Sequence, residues 1–111
     1  MEKTKRIGII GGLGPETGCK FTLNVNNKVR AVTQRQPDLV MENVPMHSEM
    51  IAELIDGNTP HSVLSLLIKA VHTLNKAGVD CIVIPCNTVH VFIEHLRDHS
   101  KVPIMSITEE C

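Results

Sequence analysis

Two segments of the sequence combine residue types that could do chemistry. In Pro85-Cys86-Asn87-Thr88-Val89-His90 a thiol follows an apolar run, Val79 to Pro85, and precedes a stretch in which Val89, Phe92, Ile93 and Leu96 recur at helical spacing. A cysteine between a strand and a helix start meets the positive end of the helix dipole and its unpaired N–H groups. These lower a thiol pKa from about 8.5 and favour the thiolate. Asn87 and Thr88 add short hydrogen-bonding side chains beside the same donors, which suits a carboxylate ligand. On the residues alone, a poised thiolate and an inert buried cysteine followed by an ordinary asparagine cap are equally good readings.

The second segment is Gly11-Gly12-Leu13-Gly14-Pro15-Glu16-Thr17, which follows the β-branched run Arg6 to Ile10. It fails both nucleotide fingerprints. Counted from Gly12, the dinucleotide pattern needs glycine at 12, 14 and 17, and position 17 is threonine. A Walker loop needs Gly-Lys-Ser/Thr where the chain has Gly18-Cys19-Lys20, and Pro15 removes one phosphate-cradling N–H. The segment reads as a tight strand-to-helix turn, compatible with a backbone wall beside a small ligand.

The other candidates are weaker. His95 and His99 have the i, i+4 spacing of a helical metal pair, yet no acidic or cysteine ligand accompanies them. With His90 they read as a solvated helix face, and no metal site is expected. His47 follows the second strand at the presumed edge of the site, where a surface histidine is the simpler reading; His72 is isolated. Cys81, inside a strand, and Cys19, inside the first helix, read as structural. The four cysteines at 19, 81, 86 and 111 form no Cys-x-x-C pair, so they are expected as free thiols in a reducing compartment.

The elements that must hold these residues follow from periodicity and punctuation. Arg6 to Ile10 reads as a buried strand, and Pro15, with Glu16 at the dipole's positive end, opens a helix to about Thr33 carrying Phe21, Val25, Val29 and Val32 on one face. Leu39 to Val44 reads as a second strand. Met46 to Gly57 holds a short amphipathic piece closed by Gly57. Thr59 and Pro60 then start a helix with Val63, Leu67, Ala70 or Val71, and Leu74 on its buried face, ended by Gly78. Val79 to Pro85 reads as a central strand covered on both faces. A helix capped by Asn87 follows, then a strand over Val102 to Ile107 and a helix start at Thr108 to Glu110. This alternation predicts an α/β lobe of three α/β/α layers, with a four-stranded parallel sheet in flavodoxin-like order and right-handed crossovers. Function should gather at the C-terminal ends of the strands, where Gly11 to Glu16, Asn43 to Ser48 and Pro85 to His90 emerge.

Composition narrows the partners. The 111 residues make one domain, able to bury roughly two thirds of the unfolded chain's surface. With 42% hydrophobic and 21% charged residues the chain is not of the disordered class. Lys plus Arg is 11 against 12 for Asp plus Glu, and the aromatics are Phe21 and Phe92, so nothing draws the chain to nucleic acid or anionic lipid. No apolar run approaches the roughly 18 residues of a membrane span. No signal peptide is recognisable, and the cytoplasm is the expected compartment.

The two motifs, in order and on the expected elements, together with Asn43-Val44-Pro45 and Met105-Ser106-Ile107, resemble the cofactor-independent aspartate/glutamate racemase family. The resemblance implies two similar α/β lobes facing across a cleft, usually assembled as dimers, with no pyridoxal phosphate. It implies for Cys86 the role of one of two catalytic cysteines, one removing the α-proton and the other reprotonating the opposite face. Asn87 and Thr88 would hold the α-carboxylate of a small amino-acid substrate, a dicarboxylic one by family. Gly12, Leu13, Gly14 and Pro15 would shape the wall, and the Asn43 to Ser48 loop would face the substrate side chain. Some relatives place an arginine there; this chain offers His47 and Ser48. The family's second cysteine lies in a Gly-Cys-Thr motif of a second lobe, and nothing here matches it. Residues 1–111 therefore resemble an N-terminal lobe whose second lobe is absent, as in a truncated gene product or a fragment, and the chain alone is expected to be inactive. The alternatives are a non-catalytic module that binds carboxylates or assembles with another chain, and a single-lobe thiol enzyme with Cys86 as nucleophile and His90 as base.

Overall fold

The computed structural model describes residues 5–11, 15–58, 61–85 and 91–106, apart from the side chains of 15–18, 29, 55 and 106. Along the chain the elements are β1 (Arg6–Gly11), α1 (Pro15–Thr33), β2 (Asp38–Asn43), α2 (Ser48–Ile55), α3 (His61–Lys76), β3 (Cys81–Ile84), α4 (Ile93–Asp98) and β4 (Ile104–Ser106). The strands form one parallel sheet in the order β2-β1-β3-β4, the flavodoxin-like order expected. Thr59 and Pro60, the expected Asn87 cap and the helix start at Thr108 to Glu110 lie outside the described residues.

α3 and α4 pack on one face of this sheet, and α1, which packs on β1, is assigned to the other by the rule for parallel crossovers. The α3 face carries the core. Alternate strand residues Ile10, Ile82, Ile84 and Ile104 point into it. They meet Val63, Leu67, Ala70, Val71 and Leu74 of α3, and Phe92, Ile93 and Leu96 at α4. The i, i+4, i+7 spacing on α3 makes this a continuous apolar stripe. Gly8 permits the close approach: a Cβ there would lie 3.1 Å from Val79 Cγ1 and 3.2 Å from Leu74 Cδ1.

The α1 face is less well covered. Ile9 is fully buried, but Ile7, Leu39, Met41, Cys81, Val83 and Met105, which share its side of the strands, are half-buried. No described side chain of α1 is buried, and Val32 is 83% exposed. β3, expected to be covered on both faces, is only half-buried on this one, and Val32 stands out in solvent while Phe21 and Val25, expected on the same helix face, are half-buried. The reason is length: 19 residues of helix run about 28 Å, and a six-residue strand about 20 Å, so the last turn of α1 overhangs the sheet.

At the N-terminal edge of the sheet Arg6 joins three elements. Its backbone N–H donates to Asp80 Oδ2 at 2.8 Å, its Nε to Asp38 Oδ2 at 2.9 Å, and its Nη1 to the Ala77 carbonyl at 2.6 Å. Gly57 and Gly78 adopt φ of +90° and +77°, the left-handed conformation with which helices commonly end.

Candidate functional site

The register brings the relevant strand ends together. Gly11 lies opposite Asn43, Ile9 opposite Val83, and Ile84 opposite Ser106, so β1, β2, β3 and β4 all end at one edge. β1 and β3 are neighbours, and the strand order reverses between them, the point at which an open α/β sheet forms a crevice. Gly11 and buried Pro85, the first residues of the two sequence motifs, therefore leave the sheet side by side. Gly12, Leu13 and Gly14 lie outside the described residues, as do Cys86, Asn87 and Thr88, and so does the side chain of Pro15, whose backbone opens α1.

The neighbouring loop is anchored to the same edge. The Val44 N–H donates to the Gly11 carbonyl at 2.9 Å, and the Val44 side chain is buried. A Cβ on Gly11 would lie 2.7 Å from Met41 Cε and 3.6 Å from Asn43 Oδ1, so the strand end is pressed against β2. Downstream, His47 is the N-cap of α2: its Nδ1 accepts the Glu49 N–H at 3.2 Å, and the residue is exposed. The imidazole thus has a local structural task at the site's edge. Histidine is outside the usual set of N-capping residues, so the sequence carried little signal for it.

A concavity of about 520 Å³ on this side of the fold is lined by His61, Leu64, Val91, Phe92 and His95, at the start of α3 and around the start of α4. Sequence reasoning did not join His61 to His95, because they stand on different helices. Leu64 is half-buried, Phe92 is buried, and Val91 and both histidines are exposed. Among the described residues no group of three or more His, Cys, Asp or Glu side chains could hold a metal ion. His95 is exposed on α4, whereas His99 caps the C-terminal end of α4 rather than lying within it.

Cys19 is exposed, in place of the structural position expected. Cys81 is half-buried on the α1 face, where desolvation first, and the neighbouring Asp80 carboxylate second, push its pKa above the ordinary thiol value.

Residues 10–111 match the family described as Asp/Glu/Hydantoin racemase. The broad specificity amino-acid racemase RacX of Bacillus subtilis (strain 168) is 30% identical over 105 residues, which are 94% of this chain and 46% of RacX. Among solved structures, a Yersinia pestis protein crystallised as a candidate Asp/Glu racemase superposes with a TM-score of 0.82 at 24% identity. An aspartate racemase homologue from Pyrococcus horikoshii OT3 does so with a TM-score of 0.73 at 24% identity. Each superposition covers 96% of this chain and 46% of the other, so the fold is that of one half of these proteins. The chain spans about half the length of the relatives it matches. With the match running from the end of β1 to the last residue, the chain belongs to the Asp/Glu/Hydantoin racemase family.

Proposed function

We propose that residues 1–111 act as the first of two lobes of an amino-acid racemase that works without a cofactor, with Cys86 as one of its two proton-transferring thiols. The observation that carries this reading is the placement of Gly11 and Pro85 on adjacent strands at the order reversal, within a family match that spans both motifs. Inversion at the α-carbon needs proton removal on one face and delivery on the other, and one side chain does not reach both. In this reading the Cys86 thiolate takes the α-proton from one enantiomer, leaving a carbanion that a second thiol protonates from the opposite face. The roles of the two sulfurs exchange for the reverse direction. Asn87 and Thr88 hold the α-carboxylate; Gly12, Leu13, Gly14 and Pro15 form the wall; His47 and Ser48 border the substrate's side chain, which in a dicarboxylic amino acid carries the second carboxylate. The second thiol comes from a second lobe, so this chain alone is inactive. The cytoplasm is the proposed compartment; among the described residues no helix is long and apolar enough to cross a membrane.

The test is deuterium exchange at the α-carbon of L-aspartate and L-glutamate in heavy water, following both enantiomers, with this chain and a Cys86→Ser control. Silence from this chain is the expected result. Exchange with inversion would mean that another copy supplies the second base, and exchange without inversion that one thiol works alone. In a protein carrying both halves, racemisation that survived Cys86→Ser would end the catalytic assignment.

A second reading, an assembly module, is favoured by the half-buried α1 face, where Leu39, Met41, Val83 and Met105 form an apolar layer under one helix. Such a layer favours association with another lobe or a second copy. Light scattering that found a clean monomer at high concentration would count against pairing of copies.

A further inference from the structure

At the end of the sheet opposite the candidate site, the last turns of α3 and the loop after α4 enclose a concavity of about 300 Å³. It is lined by His72, Asn75, Lys76, His99 and Lys101. Four of these five residues are basic and none is a carboxylate. Among the described residues the ion pairs are Arg6 with Asp38 and Arg97 with Glu94, and neither Lys76 nor Lys101 takes part in one. In a chain of net charge -1, this is a local concentration of positive charge.

Asn75 builds the hollow. Its Nδ2 donates to the Val71 carbonyl at 2.8 Å and to Ser100 Oγ at 3.2 Å, while its Oδ1 accepts the Lys101 N–H at 2.9 Å. Ser100 Oγ in turn donates to the Val102 carbonyl at 2.8 Å. The loop is thereby tied to α3, and His99 and Lys101 stand across from His72 and Lys76. The two imidazole centroids are 5.8 Å apart, with the rings inclined at 60°.

Cations at the ends of α3 and α4 complement the helix dipoles, which accounts for basic residues here but not for their convergence from two elements on one hollow. An ammonium offers three N–H donors and an imidazole at least one, whichever tautomer it adopts. The amide oxygen of Asn75 is already engaged by Lys101. Donors and positive charge without an opposing carboxylate select a multivalent oxyanion, and two ammonium groups disfavour a metal cation. We infer that the hollow formed by His72, Asn75, Lys76, His99 and Lys101 binds the phosphate or diphosphate group of a small molecule, at a site separate from the racemase edge.

The experiment follows the imidazole C–H resonances of the full chain by NMR during titration with inorganic phosphate and with pyrophosphate. The pH is held constant and the ionic strength is matched with sodium chloride. The expected result is saturable shifts at His72 and His99 with His47, His61 and His95 stationary, and tighter binding of pyrophosphate than of phosphate. Lys76→Gln combined with Lys101→Gln should weaken binding about tenfold or more. If the double variant fails to fold, Lys101→Gln alone serves, since that side chain is exposed. Absence of saturation, equal movement of every histidine, an equal response to chloride, or unchanged affinity in the lysine variants would overturn the assignment.

Discussion

Gly8 of β1 lies directly beneath Leu74 of α3, so closely that an added methyl group would press on it. An added Cβ would meet Leu74 Cδ1 at 3.2 Å, Leu74 Cδ2 at 3.3 Å and Val79 Cγ1 at 3.1 Å, all three belonging to buried side chains. A side chain at residue 8 would therefore force Leu74 and Val79 to give by a few tenths of an ångström between the sheet and its principal helix. Gly8→Ala is expected to cost about 1–3 kcal/mol through overpacking, read as a lower urea midpoint with an unchanged slope. At Gly57, where nothing lies within 4 Å, the φ of +90° alone should make Gly57→Ala destabilising, by about 1 kcal/mol.

Leu67 is fully buried on the α3 stripe, whereas Leu23 on α1 is 58% exposed. Leu67→Ala should lose about 2–5 kcal/mol, transfer and cavity terms together. Leu23→Ala should stay within about 0.5 kcal/mol of the parent. Equal losses in chemical denaturation would contradict the assignment of the core to the α3 face.

Burial and Asp80 raise the Cys81 pKa above the ordinary thiol value, so the folded chain retains the thiol proton more tightly than the unfolded chain does. Folding stability from this group is then fully present below the unfolded-state pKa and is lost as pH rises through the higher folded-state value. Thermal melts from pH 7 upward should show the parent losing stability relative to Cys81→Ala only in the alkaline range. At neutral pH Cys81 should also react with iodoacetamide more slowly than exposed Cys19, measured by mass spectrometry of the labelled peptides.

His47 caps α2 through Nδ1, so His47→Ala is expected to cost about 0.5–1 kcal/mol and His47→Asp to restore or exceed the parent's stability. In a protein carrying both halves, His47→Asn separates capping from contact with substrate. A lost kcat/KM with intact stability would place the imidazole at the substrate, and unchanged kinetics would leave it a cap alone.

Much of this architecture was readable from punctuation. Pro15 with Glu16 marked the start of α1, and the spacing of Val63, Leu67, Val71 and Leu74 marked the buried stripe of α3, because a proline start and a 3.6-residue period are local properties. Strand ends were less legible. Val79 and Val102 are as apolar as strand residues, yet Val79 N–H bonds back to the Leu74 carbonyl and Val102 N–H to Ser100 Oγ, so both close turns instead of extending β3 and β4. An apolar run reports burial, and burial does not distinguish a ladder from a packed turn.

The candidate site divides the same way. Its two motifs were visible as residue types, since a thiol beside a cap and a glycine turn beside a proline are chain-local signals. The flavodoxin-like order was expected from the alternation of elements, but the pairing that realises it is long-range: β3 on the far side of β1 from β2 sets Gly11 beside Pro85. The basic hollow had no signature at all, because His72 and Lys76 meet His99 and Lys101 only after Asn75 ties the last loop to α3. The half-covered α1 face is likewise a property of the assembled sheet: alternation in the strands announces two apolar faces, but what lies over each depends on where the crossovers run and how far each helix reaches.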